Sequence, residues 1–344
     1  MRFIHKLVVV FGLVVGFFGL ILSCATPIPL GMNVPEHQTP VGTIPRAVEQ
    51  RIAGLETLWV HDLGFDPDDS TDYLQAAIRS GSPVIIISAE PGPWITRTLF
   101  LASNQIIVFE SGAQLIAMRG EYAGRGDRVM RGNLVENLEI YGYGAEISMH
   151  KQDYQSRDYR AGEWRHGISI HSGTNVIIEG LTIRNTGGDG VYVGRQPRSD
   201  QFGSKNVTLR NLHLIDNHRQ GISVVSVDGL LIEGCLIENT SGTLPMAGID
   251  FEPDRPIEFI TNVLVRDTVI LNNKGAGILF AFQNLRPESQ PIDITIQDTY
   301  LWGNVFNTLS IGARRATGTI RFQNVRRGWF NFLPRGGLVV QRSS

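Results

Sequence analysis

Apolar and polar residues alternate along most of the chain in short runs, and the runs recur as a two-part repeat. The first part is a short run around a Gly, as in "HGISIH", "DGVYVG", "QGISVV", "AGIDFE" and "AGILFA". The second part is a longer apolar alternation that ends in Asn, at Asn185, Asn217, Asn239, Asn273 and Asn304. Alternation with a period of two, rich in Val, Ile, Leu and Thr, predicts strands and not helices.

The spacing of the repeats predicts how these strands are arranged. One repeat follows another after about 22 to 34 residues, too irregularly for a helical array. A unit of two or three short strands cannot bury its apolar face alone, but it can when each unit forms one coil stacked on the next. We therefore expect a parallel solenoid with right-handed crossovers. The recurrent Asn should form a ladder with a step of about 4.8 Å.

The residues before the first coil predict a cap. Coils begin near Val84, with "PVIIIS", and are preceded by "HDLGFDPDDSTDYLQAAIRSG". In that segment Tyr73, Leu74, Ala77 and Ile78 form the apolar stripe of a short helix. The helix should cover the open end of the solenoid, with Asp66, Asp68, Asp69 and Asp72 as turn and capping residues in preference to metal ligands.

Two segments carry a resemblance to a known family. "HDLGFDPDDSTDYLQAAI" resembles the entry segment of the pectin-lyase-like right-handed β-helix superfamily, and "GEWRHGISIHSGTNVIIEGLTIRNTGGDGVYVG" is similar to exported β-helix repeat proteins. The resemblance covers roughly residues 58–325. It implies an all-β fold, a single-stranded right-handed parallel β-helix with a short N-terminal capping helix. It implies no single reaction, because the superfamily holds lyases, hydrolases, esterases, epimerases, tailspikes and adhesins.

The first residues predict export. Arg2 and Lys6 precede an uncharged apolar run, which ends in "ILSC" at Cys24. This resembles a bacterial lipobox and implies residues 1–24 as a lipoprotein-type signal with Cys24 lipidated; an uncleaved membrane anchor is the alternative. We expect a Pro-rich tether over residues 25–56 and the β-helix domain over 57–344. The resemblance implies an outer-membrane lipoprotein, joined to the membrane by its lipid and facing the periplasm or the cell surface.

Composition argues against nucleic acid as a partner and against a disulfide bond. The formal net charge of the 344-residue chain is only -2, with no basic run, so we expect no nucleic-acid partner. With Cys24 lipidated, the second cysteine, Cys235, has no disulfide partner and is interpreted as a small core side chain. We expect a monomer.

The alternation on the Gly-containing runs predicts a polar patch. If the apolar residues point inward, their neighbours point outward, and stacking gathers those neighbours on one surface. We identify catalytic candidates (Asp189, Asp250, Glu252 and His166) and substrate-binding candidates (Tyr192, His171, Arg195, Arg219, Trp164 and Arg255). The patch should be some 15 to 20 Å long, which suits a few sugar rings.

Three interpretations of the acids stay open. In the first, one carboxyl with a raised pKa is a general acid and another activates water, as glycoside hydrolysis requires. In the second, Asp250, Glu252 and Asp254 bind Ca²⁺, which holds a uronate while Arg219, Lys274, Arg255 or a histidine abstracts its C5 proton. In the third, the acids form ordinary surface ion pairs.

The polygalacturonase and epimerase motifs are only loosely matched by "NTGGDG" and "FEPDRP", so no catalytic role is transferred from those families. The leading hypothesis is cleavage of glycosidic bonds in an extracellular or periplasmic polysaccharide by paired carboxylates, with no cofactor. The alternatives are a Ca²⁺-dependent lyase or C5 epimerase, and a solenoid that only binds glycans.

Overall fold

A computed structural model of the protein describes residues 42–196, 203–328, 331, 333 and 336–343. Within these residues the strands form three parallel sheets of 11, 9 and 8 strands, and consecutive coils of the chain contribute neighbouring strands to each. The architecture is the expected right-handed parallel β-helix. The predicted signal segment and Cys24 lie outside the described residues. Within the described ranges, no helix combines the length and apolarity needed to cross a membrane.

Eight consecutive coils of the described residues each contribute one strand to sheets A, B and C, and the coils at the two ends contribute fewer. Sheet A consists of Thr57–Trp59, Val84–Ile87, Gln105–Phe109, Glu136–Tyr141, Thr174–Glu179, Ser204–Arg210, Val227–Glu233, Ile260–Arg266, Ile292–Gln297, Gly318–Gln323 and Leu338–Ser343. Sheet B consists of Trp94–Thr96, Gln114–Ala117, Glu146–Ser148, Thr182–Arg184, His213–Ile215, Leu236–Glu238, Val269–Leu271, Tyr300–Trp302 and Arg326–Arg327. Sheet C consists of Leu99–Phe100, Arg128–Asn133, His166–His171, Val191–Gly194, Gln220–Val224, Ala247–Phe251, Ala276–Ala281 and Phe306–Ile311. The core is the continuous stack of Ile, Val, Leu and Phe that these strands point inward.

The glycines of the repeat mark the corner where the chain enters sheet C. A Cβ placed on Gly221 would lie only 2.6 Å from the carbonyl oxygen of Gly248 in the next coil. Gly167, Gly190, Gly248 and Gly277 meet a neighbouring backbone oxygen in the same way. Glycine recurs here because successive backbones approach too closely for any side chain.

The predicted Asn ladder exists, but two of its members are shifted by one residue. Asn217, Asn273 and Asn304 are buried at the turn, and Asn273 Nδ2 donates to Asn304 Oδ1 over 2.8 Å. Asn185 and Asn239 instead take the preceding left-handed position, with φ of 55° and 60°. The buried position in those coils belongs to a threonine; the Thr240 N–H, for example, donates to Asn273 Oδ1 over 3.0 Å. Asn tolerates both positions, so the sequence alone gave the wrong register here.

The capping helix is also as predicted. It spans Thr71–Arg79 and buries Leu74, Ala77 and Ile78. Asp69 Oδ1 accepts the Thr71 N–H over 3.0 Å, as expected of a turn and capping residue. A short helix, Val60–Leu63, precedes it, and single 3₁₀ turns occur at Asp153–Gln155 and Ala313–Arg315.

The segment predicted to be a flexible tether is structured near its C-terminal end. Residues Arg46–Ile52 form a helix within the segment predicted to be a flexible tether. Val48 is buried, and Ile52 packs against outward-pointing residues of sheet A, among them Val84 and Ile86. The Arg51 guanidinium also pairs with Glu139. The i, i+4 spacing of Val48 and Ile52 gives this helix an apolar face, which covers an apolar part of the outer wall.

Candidate functional site

The outward row of sheet C has the register that the sequence predicted. Ser169 pairs with Tyr192, Tyr192 with Ser223, and Ser223 with Asp250. Neighbouring strands are about 4.8 Å apart, so side chains distant in the sequence lie side by side along the axis. Asp189, His166 and Gln220 border the same row at the turn that enters the sheet.

The prediction that this row is an open, solvated patch is wrong. Asp189 and Asp250 are 0% exposed and His166 is 1% exposed, although none of them belongs to the hydrophobic core. For Asp189, the burial is caused by the segment that precedes the sheet C strand His166–His171. Arg165 bridges to Gly187, and the carbonyl of Glu163 lies against Gly188, so this segment covers the turn that carries Asp189.

Arg219 joins the acids of the site. Its Nη2 donates to Glu252 Oε2 over 2.9 Å, its Nη1 lies 3.8 Å from Asp189 Oδ1, and its Nε lies 4.0 Å from Glu163 Oε2. Burial alone would lower the pKa of Arg219, but the charges of Asp189 and Glu252 hold this pKa above its ordinary value. One guanidinium therefore contacts three carboxyl groups with different surroundings. We call Glu163, Asp189, Arg219, Asp250 and Glu252 the acid cluster.

Asp189 and His166 form a buried pair at the base of this cluster. His166 Nδ1 accepts the backbone N–H of Asp189 over 3.0 Å, so it carries no proton itself. Asp189 Oδ2 lies 3.2 Å from the same nitrogen, which sets two acceptors together unless the carboxyl is protonated. Burial raises the pKa of Asp189 to about 7, and burial also holds the pKa of His166 well below its usual range. The pair is stable when both groups are neutral.

Asp250 and Glu252 differ although they are two residues apart on one strand face. Asp250 Oδ2 accepts a hydrogen bond from Gln220 Nε2 over 2.6 Å, while its Oδ1 accepts none from the residues that the structure describes. Burial, and then the charge of Glu252, raise the pKa of Asp250 well above its usual value. The Glu252 side chain is 16% exposed and paired with Arg219. The repulsion expected between the two acids is thus relieved by protonating one and pairing the other.

Aromatic rings border the acid cluster. Tyr192 stacks on His166 with ring centroids 5.3 Å apart and also contacts the ring of His171 at 4.9 Å. Burial lowers the pKa of His171 to about 3. Trp164 is 38% exposed, so its ring is available to a ligand.

Not all predicted residues join the cluster. Asp254 and Arg255 are exposed, and their N–H groups donate to Glu258 Oε2 over 2.6 and 2.9 Å. Arg195 lies 3.9 Å from Glu258, and no described ion pair links Arg255 or Lys274 to the acid cluster. Within the described ranges no three His, Cys, Asp or Glu residues are grouped as a metal site. The three acids predicted to bind Ca²⁺ are therefore not arranged as a ligand set, and a Ca²⁺ requirement stays a prediction.

Two residues that matter here, Glu163 and Arg165, are not among the predicted site residues. Glu163 was not singled out, yet its carboxyl faces Arg219, and burial raises its pKa. Arg165 is completely buried and donates to the carbonyls of Tyr122, Arg160 and Gly162 over 2.7, 2.7 and 3.2 Å. Its guanidinium lies 5.2 Å from the ring centroid of Tyr154. Arg165 thus fastens the segment that carries Glu163 and Trp164, and the charged run "EWRH" before a strand was the available signal.

A family model, described as a right handed beta helix region, matches residues 159–324. This match covers just under half of the chain and agrees with the right-handed parallel β-helix fold described above. Two relatives of this β-helix protein come from Bacillus subtilis (strain 168). They are the SPbeta prophage-derived uncharacterized protein YorA, 32% identical over 128 residues, and the uncharacterized protein YclG, 30% identical over 154 residues. The matches cover 35% and 42% of this chain but only 22% and 26% of those proteins.

Solved structures share the fold of this β-helix protein at low identity. An iota-carrageenase complexed to iota-carrageenan fragments superimposes with a TM-score of 0.54, at 15% identity, over 83% of this chain and 58% of the other. The A-module of the Azotobacter vinelandii mannuronan C-5 epimerase AlgE4 gives 0.53 at 15% identity, over 78% and 76%. A tailspike of Acinetobacter baumannii bacteriophage Fri1, a capsular polysaccharide depolymerase, gives 0.52 at 15% identity, over 83% and 58%. At such identities the comparison establishes the fold only.

Proposed function

We propose that this protein hydrolyses glycosidic bonds of a polysaccharide at the acid cluster. The observation that carries the proposal is that Arg219 contacts Glu252 and Glu163 at once, while their surroundings differ. Hydrolysis needs one protonated and one ionised carboxyl on either side of the scissile bond, and different surroundings produce that difference. The structural neighbours that act on polysaccharides support the substrate class.

The accessible acids take the catalytic roles. Glu163 has a side chain that is 26% exposed and a pKa raised by burial, which suits a group that donates a proton to the leaving glycosidic oxygen. Glu252 is paired with Arg219 and activates the attacking water. The buried residues Asp189, Asp250 and His166 lie beneath this pair and set its electrostatics, because a substrate does not reach them in this structure.

Substitutions of the two glutamates test the assignment. With Glu252→Gln we expect a loss of kcat of at least about 100-fold on every substrate. Glu163→Gln should lose as much on the natural polysaccharide but little on an aryl glycoside, whose leaving group needs no proton. The exposed Glu288 provides the matched control, since Glu288→Gln should leave kcat unchanged.

Other outcomes identify other functions. If products carry an unsaturated uronate, seen by ultraviolet absorbance, and chelation abolishes their formation, the protein is the Ca²⁺-dependent lyase of the second interpretation. A change of uronate configuration without cleavage identifies an epimerase. Binding without turnover in a screen of acidic and neutral polysaccharides identifies a glycan-binding solenoid.

Export and anchoring belong to the same proposal. A lipid on Cys24 would hold the protein in the outer membrane, near extracellular or periplasmic glycans. Metabolic labelling with radioactive palmitate tests this, because wild-type protein should incorporate label and Cys24→Ala should not. An unlabelled wild-type protein would contradict lipidation without affecting the assignment of the acid cluster.

A further inference from the structure

Two arginines lie on the same wall as the acid cluster, toward the N-terminal end of sheet C. Both come from the strand Arg128–Asn133, where Arg128 pairs in register with His166 and Arg131 with Ser169. Arg131 therefore continues the outward row that leads to Asp250. Four strand spacings separate this coil from that of Asp250, or about 19 Å along the axis.

Neither arginine has a carboxylate counter-ion among the described residues. Arg128 donates to the carbonyl of Gly126, and its Nε is buried without a hydrogen-bond partner. The Nε of Arg131 donates to Asn133 Oδ1 over 3.2 Å, which is a neutral acceptor. Asp127 is the nearest acid in the sequence, but its Oδ2 accepts the N–H of Gly124 over 2.7 Å, and no ion pair joins it to Arg128.

Asp127, Asp189 and Tyr192 offset this positive charge only in part. Burial, and then the charge of Arg131, lower the pKa of Arg128, so the two guanidinium groups repel each other. His166 and His171 face Arg128, and its charge adds to burial in lowering the pKa of both. Two like charges held together without an ion-paired acid cost stability unless an anion is bound between them. Elsewhere on this wall, Arg219 is paired with the carboxylate of Glu252.

We propose that Arg128 and Arg131 form a subsite for an anionic group, a carboxylate or a sulfate ester, on a sugar a few rings from the bond that is cleaved. A planar guanidinium binds either oxyanion through two parallel hydrogen bonds. The subsite makes the substrate an anionic polysaccharide. This inference rests on the proposed function for the position of the bond that is cleaved, but the binding of anionic chains can be measured without turnover.

The test compares binding of polygalacturonate, iota-carrageenan and a neutral β-glucan by affinity electrophoresis at several salt concentrations. We expect the wild type to bind at least one anionic polymer more tightly than the neutral one, and less tightly as salt rises. Arg131→Gln and Arg128→Gln should each weaken that binding at least 10-fold without changing retention by the neutral polymer. Arg321→Gln is the matched control, because Arg321 lies on sheet A and pairs with Asp293.

Each outcome decides the proposal. Tighter binding of polygalacturonate alone identifies a carboxylate, and tighter binding of carrageenan alone identifies a sulfate. Equal binding of anionic and neutral chains, or wild-type binding by both arginine variants, overturns the subsite. The arginine variants and Glu252→Gln separate the two proposals. If the arginine variants lose binding while Glu252→Gln keeps full turnover, the subsite stands and the hydrolytic mechanism is refuted. If the arginine variants bind like the wild type while Glu252→Gln loses turnover, only the subsite is refuted.

Discussion

Replacing Asp189 by Asn should stabilise the protein at alkaline pH and not at acidic pH. Burial raises the pKa of Asp189 from its ordinary value of 3.8 to about 7. The folded state therefore holds a proton that the unfolded state releases, and the free energy of unfolding falls as pH rises through the interval between those values. A difference of about 3 pKa units corresponds to about 4 kcal/mol, the cost of ionising the buried carboxyl above pH 7. Asn is isosteric and never ionises.

The measurement is urea-induced unfolding at about pH 4 and about pH 8, with the exposed Asp68→Asn as control. At pH 8 Asp189→Asn should gain up to about 4 kcal/mol over the wild type, and at pH 4, where the wild-type carboxyl is protonated in the folded state, the gain should be close to zero. Asp68→Asn should change stability by less than about 0.5 kcal/mol at both pH values. An equal effect of Asp189→Asn at both pH values refutes the reasoning, because the charge of Asp189 then costs the fold nothing.

Three further results are expected. Arg165→Met leaves three carbonyls without a donor and should cost about 3 kcal/mol or more in urea unfolding, with faster proteolysis of the segment around Trp164. Asn273→Ala removes the side-chain hydrogen bonds of the buried ladder and should lower the free energy of unfolding by about 2 kcal/mol. As a control, Asn137→Gly in an exposed ladder should lower it by less than about 1 kcal/mol. Equal losses would contradict the role of burial. Because burial lowers the pKa of His171 to about 3, its folded form stays neutral while the unfolded form gains a proton below about 6.5, so stability is lost as pH falls through that interval. His171→Gln should reduce that acid-side slope in a pH series of unfolding curves, and an unchanged slope would argue against the lowered pKa.

The fold could be predicted because its signal is local and repeated. Each strand of "HGISIH" type shows alternation within six residues, and several copies of the same pattern confirm one another. The helix Arg46–Ile52 has no such repeated pattern, because only Val48 and Ile52 make its apolar face. The surface of sheet A that it covers cannot be recognised from the sequence either.

The sequence predicted which side chains of the candidate site point outward, but not which of them are exposed. Period-two alternation placed Asp250 and Glu252 on one outward face, because it specifies which side chains point outward. Whether an outward side chain meets solvent depends on the loops, and their paths have no periodic signal. The burial of Asp189 and the approach of Glu163 to Arg219 follow from the path that Arg165 imposes, and they became visible only in three dimensions.

The corner at Gly221 and Gly248, where the chain enters sheet C, constrains the backbone of the fold but not the side chains that determine its chemistry. The rules that keep one coil on the next concern backbone spacing and inward methyl groups, and they make no demand on the outer row of sheet C. Outward residues of neighbouring coils still contact one another, as Gln220 and Asp250 do, but substituting them leaves the backbone spacing of the coils unchanged. In such a protein, substrate preference can change through substitutions in one coil after another while the backbone fold stays the same.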